Sequence, residues 1–231
     1  MGIYITGDTH GEQGRMYQID KQLSDGDYLI VCGDWGYVFR DDLQEIRFLD
    51  DLEARPYTIL FVDGNHENFN ALYEYPVETW HGGTVHRVRK NIIHLCRGQV
   101  YEIEGKTFFT FGGGYSIDKA CRVPNKSWWE QELPNKEEYD EGKMNLEIHN
   151  WNVDYIVTHT LNVESIKVLA AMDRYNEIKP LCTDEATLNF YLEEIRQLTT
   201  YKEWFFGHFH RDKRIDYTRQ TALWFELIKL V

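Results

Sequence analysis

Five apolar runs in this chain each end in a short polar block, and that repetition constrains the fold more than any other feature of its 231 residues. Residues 3–6 lead into Gly7-Asp8-Thr9-His10-Gly11, and residues 28–32 into Gly33-Asp34-Trp35-Gly36. Residues 57–62 lead through Asp63 into Gly64-Asn65-His66-Glu67, residues 155–157 into Thr158-His159-Thr160, and residues 203–206 into Gly207-His208-Phe209-His210. Short apolar runs bounded by glycine read as buried strands. Helical patterns over residues 12–23 and 41–54 separate the first three, with Met16, Ile19 and Leu23, then Leu43, Ile46, Leu49 and Leu52, as their apolar faces. Strand and helix in alternation predict a sheet of parallel strands. The runs at 155–157 and 203–206 are expected to continue that main sheet. Helices are expected at 163–172 and at 184–198, the second with Leu188, Leu192, Ile195 and Leu198 on its apolar face.

The pattern changes after residue 80. Short runs at 85–88, 92–95, 100–103 and 107–111, separated by tight turns, read as antiparallel hairpins of a second sheet stacked on the first. Gly112-Gly113-Gly114 lacks the lysine and the spacing of a phosphate-binding loop and reads as a hinge or a tight backbone turn. Residues 115–150 are the least regular, with a helix expected in their second half. They carry Trp128-Trp129 and Arg122, which suit either a cap over the site or a segment anchored in the core. Two closing strands are expected near 214–217 and 222–227.

If the five blocks form one site, nearly the whole chain is needed to build it, so one domain over 1–231 is expected. In open α/β sheets, sites form where strand carboxyl ends converge. Asp8, His10, Asp34, Asn65, His159, His208 and His210 are seven oxygen or nitrogen donors at such ends. That is too many for one tetrahedral zinc and suits two ions sharing a carboxylate, with Asp34 as the natural bridge. Residues two apart in an extended segment share a face, which pairs Asp8 with His10 and His208 with His210. The other histidines, His81, His86, His94 and His149, read as ordinary surface or hydrogen-bonded residues.

The net charge of −13 argues against a nucleic-acid surface, which needs clustered Lys and Arg. The basic stretches at 86–90 and 211–214 are short and read as solvated strand faces. Cys32, Cys96, Cys121 and Cys182 are far apart and read as reduced thiols. With no membrane-length apolar run and no signal peptide before the strand at 3–6, a cytoplasmic enzyme is expected.

Asp8-Thr9-His10-Gly11, Gly33-Asp34, Gly64-Asn65-His66-Glu67, Thr158-His159 and Gly207-His208-Phe209-His210 together resemble the five ordered motifs of the calcineurin-like metallophosphoesterases. The resemblance implies an α/β fold of the four-layer α/β/β/α kind, two mixed sheets flanked by helices. It implies two divalent metal ions, manganese first, with iron, zinc, nickel and magnesium as alternatives. One ion would be held by Asp8, His10, Asp34 and His210, and the other by Asp34, Asn65, His159 and His208. The implied reaction is hydrolysis of a phosphomonoester or phosphodiester by a metal-bridging hydroxide, with His66 as general acid. The implied substrate is a small phosphate ester such as a nucleotide. The alternatives are a protein phosphatase and a scaffold that has lost catalysis. Tyr37 stands where relatives carry an aspartate that orients the histidine, which leaves Glu67 or a backbone carbonyl to orient His66. Thr160-Leu161 replaces the usual proline after the fourth motif.

Overall fold

The computed structural model describes residues 1–40, 42–174, 177–178 and 182–231. Three strands, β1 (Ile3–Thr6), β2 (Tyr28–Val31) and β3 (Thr58–Phe61), pair in parallel. Helix α1 (Gln13–Asp20) links the first two and α2 (Leu43–Glu53) the next two. Each strand is apolar on both faces because both faces are covered. Ile3, Ile5, Ile30, Leu60 and Val62 point into the space between the two sheets. Leu29, Val31, Ile59 and Phe61 point outward under Met16, Ile19, Phe48, Leu49 and Leu52 of the two helices. The face of α2 is thus Phe48, Leu49 and Leu52, whereas Leu43 and Ile46 are exposed. Asp42 caps α2 by accepting from the Glu45 N–H, and Asp41, the expected first residue, lies outside the described residues.

The short strands divide between the sheets, contrary to the expectation that they form one. After the one-turn α3 (Phe69–Leu72), β4 (Val77–Trp80), β5 (Gly83–Arg89) and β6 (Ile92–Leu95) extend the first sheet, with β6 parallel to β3. β7 (Gln99–Ile103) and β8 (Lys106–Phe111) form the hairpin that begins the second. β9 (Tyr155–Thr158) and β10 (Glu203–Phe206) run parallel beside β8, so the fourth and fifth runs belong to this second sheet and not to the first. Periodicity sets a strand's faces but not its neighbours, and the partners here come from long-range pairing. The chain end supplies three strands. β11 (Lys213–Ile215) and β12 (Gln220–Ala222) complete the second sheet, and β13 (Leu227–Lys229) returns to pair with β1.

The seven-stranded sheet has the order β13-β1-β2-β3-β6-β5-β4 and the six-stranded sheet β11-β12-β10-β9-β8-β7. Tyr101, Phe108, Val157 and Phe205 meet the inner face of the first sheet. The outer face of the second sheet lies under α4 (Lys136–Ile148), α5 (Val163–Met172) and α6 (Ala186–Leu198), through Leu146, Ile166, Leu188 and Leu192. Helices outside two facing sheets make the four layers. All four cysteines are free. Among the described residues, no helix is long and apolar enough to cross a membrane.

Candidate metal centre

The loops after β1 and β2 are bound to each other before any side chain takes part. The Thr9 and His10 N–H groups donate to Asp34 O at 3.1 and 2.8 Å, and Gly11 N–H donates to Trp35 O. This lacing sets Asp8, His10 and Asp34 side by side. Arg15 of α1 braces it from below, donating to Asp8 O at 2.7 Å and Trp224 O at 2.5 Å. The loops after β9 and β10 are joined in the same way by Gly207 N–H to His159 O at 3.0 Å. The two pairs of loops meet where His208 N–H donates to the Asp8 carboxylate at 3.0 Å. His66 N–H donates to Asp34 Oδ1 at 2.7 Å and ties in the loop after β3. The site thus lies at the carboxyl ends of strands from both sheets.

His10, Asp34, His208 and His210 have φ of 49°, 46°, 66° and 49°. Left-handed backbone at four non-glycine residues is strained and clusters at functional sites. It also corrects the spacing argument. These segments are not extended, and the side chains converge because each loop turns sharply. Two glycines let them come this close. A Cβ at Gly64 would lie 2.1 Å from Asp34 Oδ1, and one at Gly207 would lie 2.0 Å from Asp8 Oδ1.

All seven predicted donors come together, in two overlapping groups. In one, His210 Nε2 is 2.8 Å from His10 Nε2 and 3.2 Å from Asp8 Oδ2. In the other, His159 Nε2 lies 3.4 Å from Asp34 Oδ1 and 3.1 Å from Asn65 Oδ1, and His208 Nδ1 lies 3.1 Å from the same amide oxygen. Asp8, Asp34 and His159 also form a buried triad of ligand atoms. Asp8 and Asp34 are buried, yet among the described residues their only ion-pair partners are histidines. Burial opposes ionisation of Asp34, but the surrounding imidazoles, His159 foremost, outweigh it and lower its pKa. Burial would lower the His159 pKa, and Asp34 and Asp8 raise it instead, whereas burial lowers that of His208. Buried carboxylates ringed by imidazole and amide donors, with no lysine or arginine side chain paired to them, fit divalent cations.

Supporting contacts orient the candidate donor atoms. His159 Nδ1 donates to Cys32 O at 2.9 Å, which leaves Nε2 with its lone pair toward the cluster. Glu185 stands 3.6 Å from His208 Nε2 while accepting from Tyr115 N–H and the Thr160 hydroxyl. A carboxylate behind a ligating imidazole is a recurrent second support. Trp224 stacks on His210 with centroids 5.2 Å apart. Sequence reasoning missed Arg15, Glu185 and Trp224, and no local pattern marks them. Arg15 comes from the helix directly after the first block, seven residues from Asp8, whereas Glu185 and Trp224 lie 23 and 14 residues from the histidines they support.

His66 is half-buried beside the cluster, 5.1 Å edge-to-face from His10. Among the described residues neither expected partner, Glu67 or a backbone carbonyl, bonds to its ring. Glu67 accepts from Trp35 N–H at 2.8 Å and from Gly36 N–H, holding the second loop. Burial, then Asp34, pushes the Glu67 pKa well above the usual range. The partner of His66 is Arg122, whose Nη2 is 3.1 Å from His66 Nε2. Burial lowers the His66 pKa, and Arg122 adds to this against Asp34. Tyr37, at the position of the missing aspartate, packs against Trp35 and Phe48 in the core.

A cavity of about 490 Å³ opens over this cluster, lined by Asn65, His66, Tyr115, Arg122, His208 and Arg211 among others. The tryptophans of the irregular segment lie elsewhere. Trp128 and Trp129 line a separate cavity with Tyr73, Arg97 and Glu138. Trp129 is 1% exposed and meets Phe39 edge-on, and Lys119 sits 3.9 Å from the Trp128 ring. Gly113 N–H donates to Asp63 O and Gly114 N–H to Glu132 O, so the triple glycine is stitched into a tight turn.

The family model for calcineurin-like phosphoesterases matches residues 1–212, and the chain belongs to that family. It is a metal-dependent phosphoesterase, with candidate metal-binding clusters at its strand ends. No curated protein matches the chain.

Proposed function

We propose that this chain hydrolyses a small phosphate ester at a centre of two divalent ions. Asp8, His10 and His210 would hold one, Asn65, His159 and His208 the other, and Asp34 would serve both. The observation that carries this reading is the pair of donor groups around two buried carboxylates whose ion-pair partners, among the described residues, are all histidines. Two divalent ions there would lower the pKa of water and neutralise charge on a phosphoryl group.

The chain's own residues then have separable tasks. Arginine only donates, so in the Arg122–His66 contact Nε2 accepts and the His66 proton sits on Nδ1. A phosphate oxygen is a better acceptor for Arg122 than an imidazole. An incoming ester would therefore draw the guanidinium away, and Nε2, once it has taken a proton from solvent, could pass that proton to the leaving oxygen. His66 is the general acid in this scheme and Arg122 the residue that recruits substrate. Arg122 and Tyr115, from the segment at 115–150, with Arg211, line the cavity that would receive the rest of the ester. Its volume suits a nucleotide-sized molecule. Manganese is the first metal to test.

The test is Asp34→Asn. If the carboxylate serves both ions, the variant loses affinity for both together, with activity toward a chromogenic phosphodiester. Full metal content and full activity would overturn the two-ion reading. A panel of phosphate esters in added manganese then ranks monoester, diester and phosphoprotein substrates.

A further inference from the structure

We propose that His86, His94 and Cys96 form a second metal site, for a single zinc ion, apart from the catalytic cluster. β5 and β6 are antiparallel with His86 opposite His94, and Cys96 follows directly after β6. Cross-strand pairing alone brings the two imidazoles face to face, with centroids 5.2 Å apart and planes 19° from parallel. Tyr73 stacks 5.4 Å from His86 and fixes its ring plane.

The protonation of His94 is set from behind. Its Nε2 lies 3.0 Å from Asp63 Oδ1. A carboxylate only accepts, so Nε2 carries the hydrogen and Nδ1 presents a lone pair. That Nδ1 lies 3.0 Å from His86 Nδ1, and Cys96 Sγ lies 3.5 Å from the same His86 nitrogen. The three ligand atoms all lie within 4.8 Å of one another. Bonds of about 2.0–2.1 Å to nitrogen and 2.3 Å to sulfur put adjacent donors of a tetrahedral zinc roughly 3.3–3.6 Å apart. The two spacings from His86 Nδ1 need adjustment of only a few tenths of an ångström. Carboxylate, imidazole and metal in line is also the arrangement that orients a ligating histidine.

Charge and access agree with the geometry. A cavity of about 230 Å³, lined by Tyr73, His86, Cys96, Arg97 and Glu138 among others, leads to the three donors and leaves room for a water as fourth ligand. Arg97 is the cation at its edge. Its guanidinium contacts both Asp63, at 2.9 Å from Nε, and Glu138, at 3.1 Å, so carboxylates outnumber it. One sulfur donor beside two imidazole nitrogens favours a thiophilic cation such as zinc. Without a metal, one proton shared between the two Nδ1 atoms satisfies the pair. Binding of zinc at both Nδ1 atoms would move the His86 proton to its Nε2, release the Cys96 thiol proton to solvent and pin β5 to the loop after β6.

Cobalt(II) is the probe. A thiolate ligand gives a near-ultraviolet charge-transfer band that the nitrogen and oxygen donors of the catalytic cluster lack. Full-length protein titrated with cobalt is expected to show the band, zinc to abolish it, and Asp34→Asn to retain it. Cys96→Ser and, independently, His86→Ala are expected to lose it, with turnover of the phosphodiester by Cys96→Ser within about twofold of wild type. Wild-type protein that binds cobalt with no thiolate band overturns the proposal. So does a band that survives Cys96→Ser and therefore comes from another thiol such as Cys182.

Discussion

Gly64→Ala tests how tightly the centre is built. The added methyl would sit 2.1 Å from Asp34 Oδ1 and 2.5 Å from Asp34 N, whereas real Cβ contacts essentially never fall under 3.0 Å. Asp34 must therefore retreat by about 1 Å, or Gly64 must move away by as much. Either motion separates Asp34 Oδ1 from the His66 N–H that it accepts at 2.7 Å and changes its approach to His159 Nε2 at 3.4 Å. A misplacement of about 1 Å at reacting groups costs on the order of 100-fold in rate, or about 2.7 kcal/mol of barrier. The overpacking itself costs about 1–3 kcal/mol of stability, which a domain of this size tolerates. The assays are kcat/KM for a chromogenic phosphodiester, metal content by elemental analysis, and thermal melting. The expected result is a folded protein with a modestly lower Tm, weakened metal binding and activity reduced about 100-fold. Gly14→Ala is the control. Its Cβ, in α1, meets nothing within 4 Å. A stability gain of about 0.4–1 kcal/mol with unchanged activity is expected there. If Gly64→Ala is folded and retains activity within about threefold of wild type, the close approach of the two loops does not position the reacting groups.

Three further outcomes are expected. His66→Ala should keep its metals, lose about 100–10,000-fold in turnover of an ester with a poor leaving group, and lose far less with a nitrophenolate; equal losses would remove His66 as the acid. Trp129→Ala should lower stability by about 3–5 kcal/mol and Trp128→Ala by no more than about 1, because only the first ring is buried. Denaturant titrations that rank them in reverse, or a Trp128→Ala protein with altered substrate preference, would return these rings to a substrate-binding role. Burial raises the Glu132 pKa to about 7. Its unfolded value is near 4.3, so the folded state binds the extra proton and loses relative stability as pH rises between the two values. Glu132→Gln lacks that loss. Its stability relative to wild type should rise by about 1.4 kcal/mol per unit across that window and level off above it, and a pH-independent difference would show that the burial has no such effect.

The strand cores and most helices were legible in the sequence because apolar periodicity is local. α5 (Val163–Met172) and β6 (Ile92–Leu95) match their expected bounds, while α1 (Gln13–Asp20) proved shorter than residues 12–23. The family was also legible, since Asp8, Asp34, Asn65, His159 and His208 each follow a strand within a few residues. What the sequence left open were partners. Nothing near residue 155 reveals that β9 pairs with β8 in the second sheet, because its Ile-Val pattern would suit a central position in either. Nothing near His66 points to Arg122, which is 56 residues away, and nothing near His208 points to Glu185. His86 and His94 read as unremarkable until antiparallel register set them side by side. A side chain's chemistry and a strand's two faces are properties of a short stretch of chain. The neighbour that a ring or carboxylate meets depends on strand order and loop closure, and these are decided only when distant segments pack.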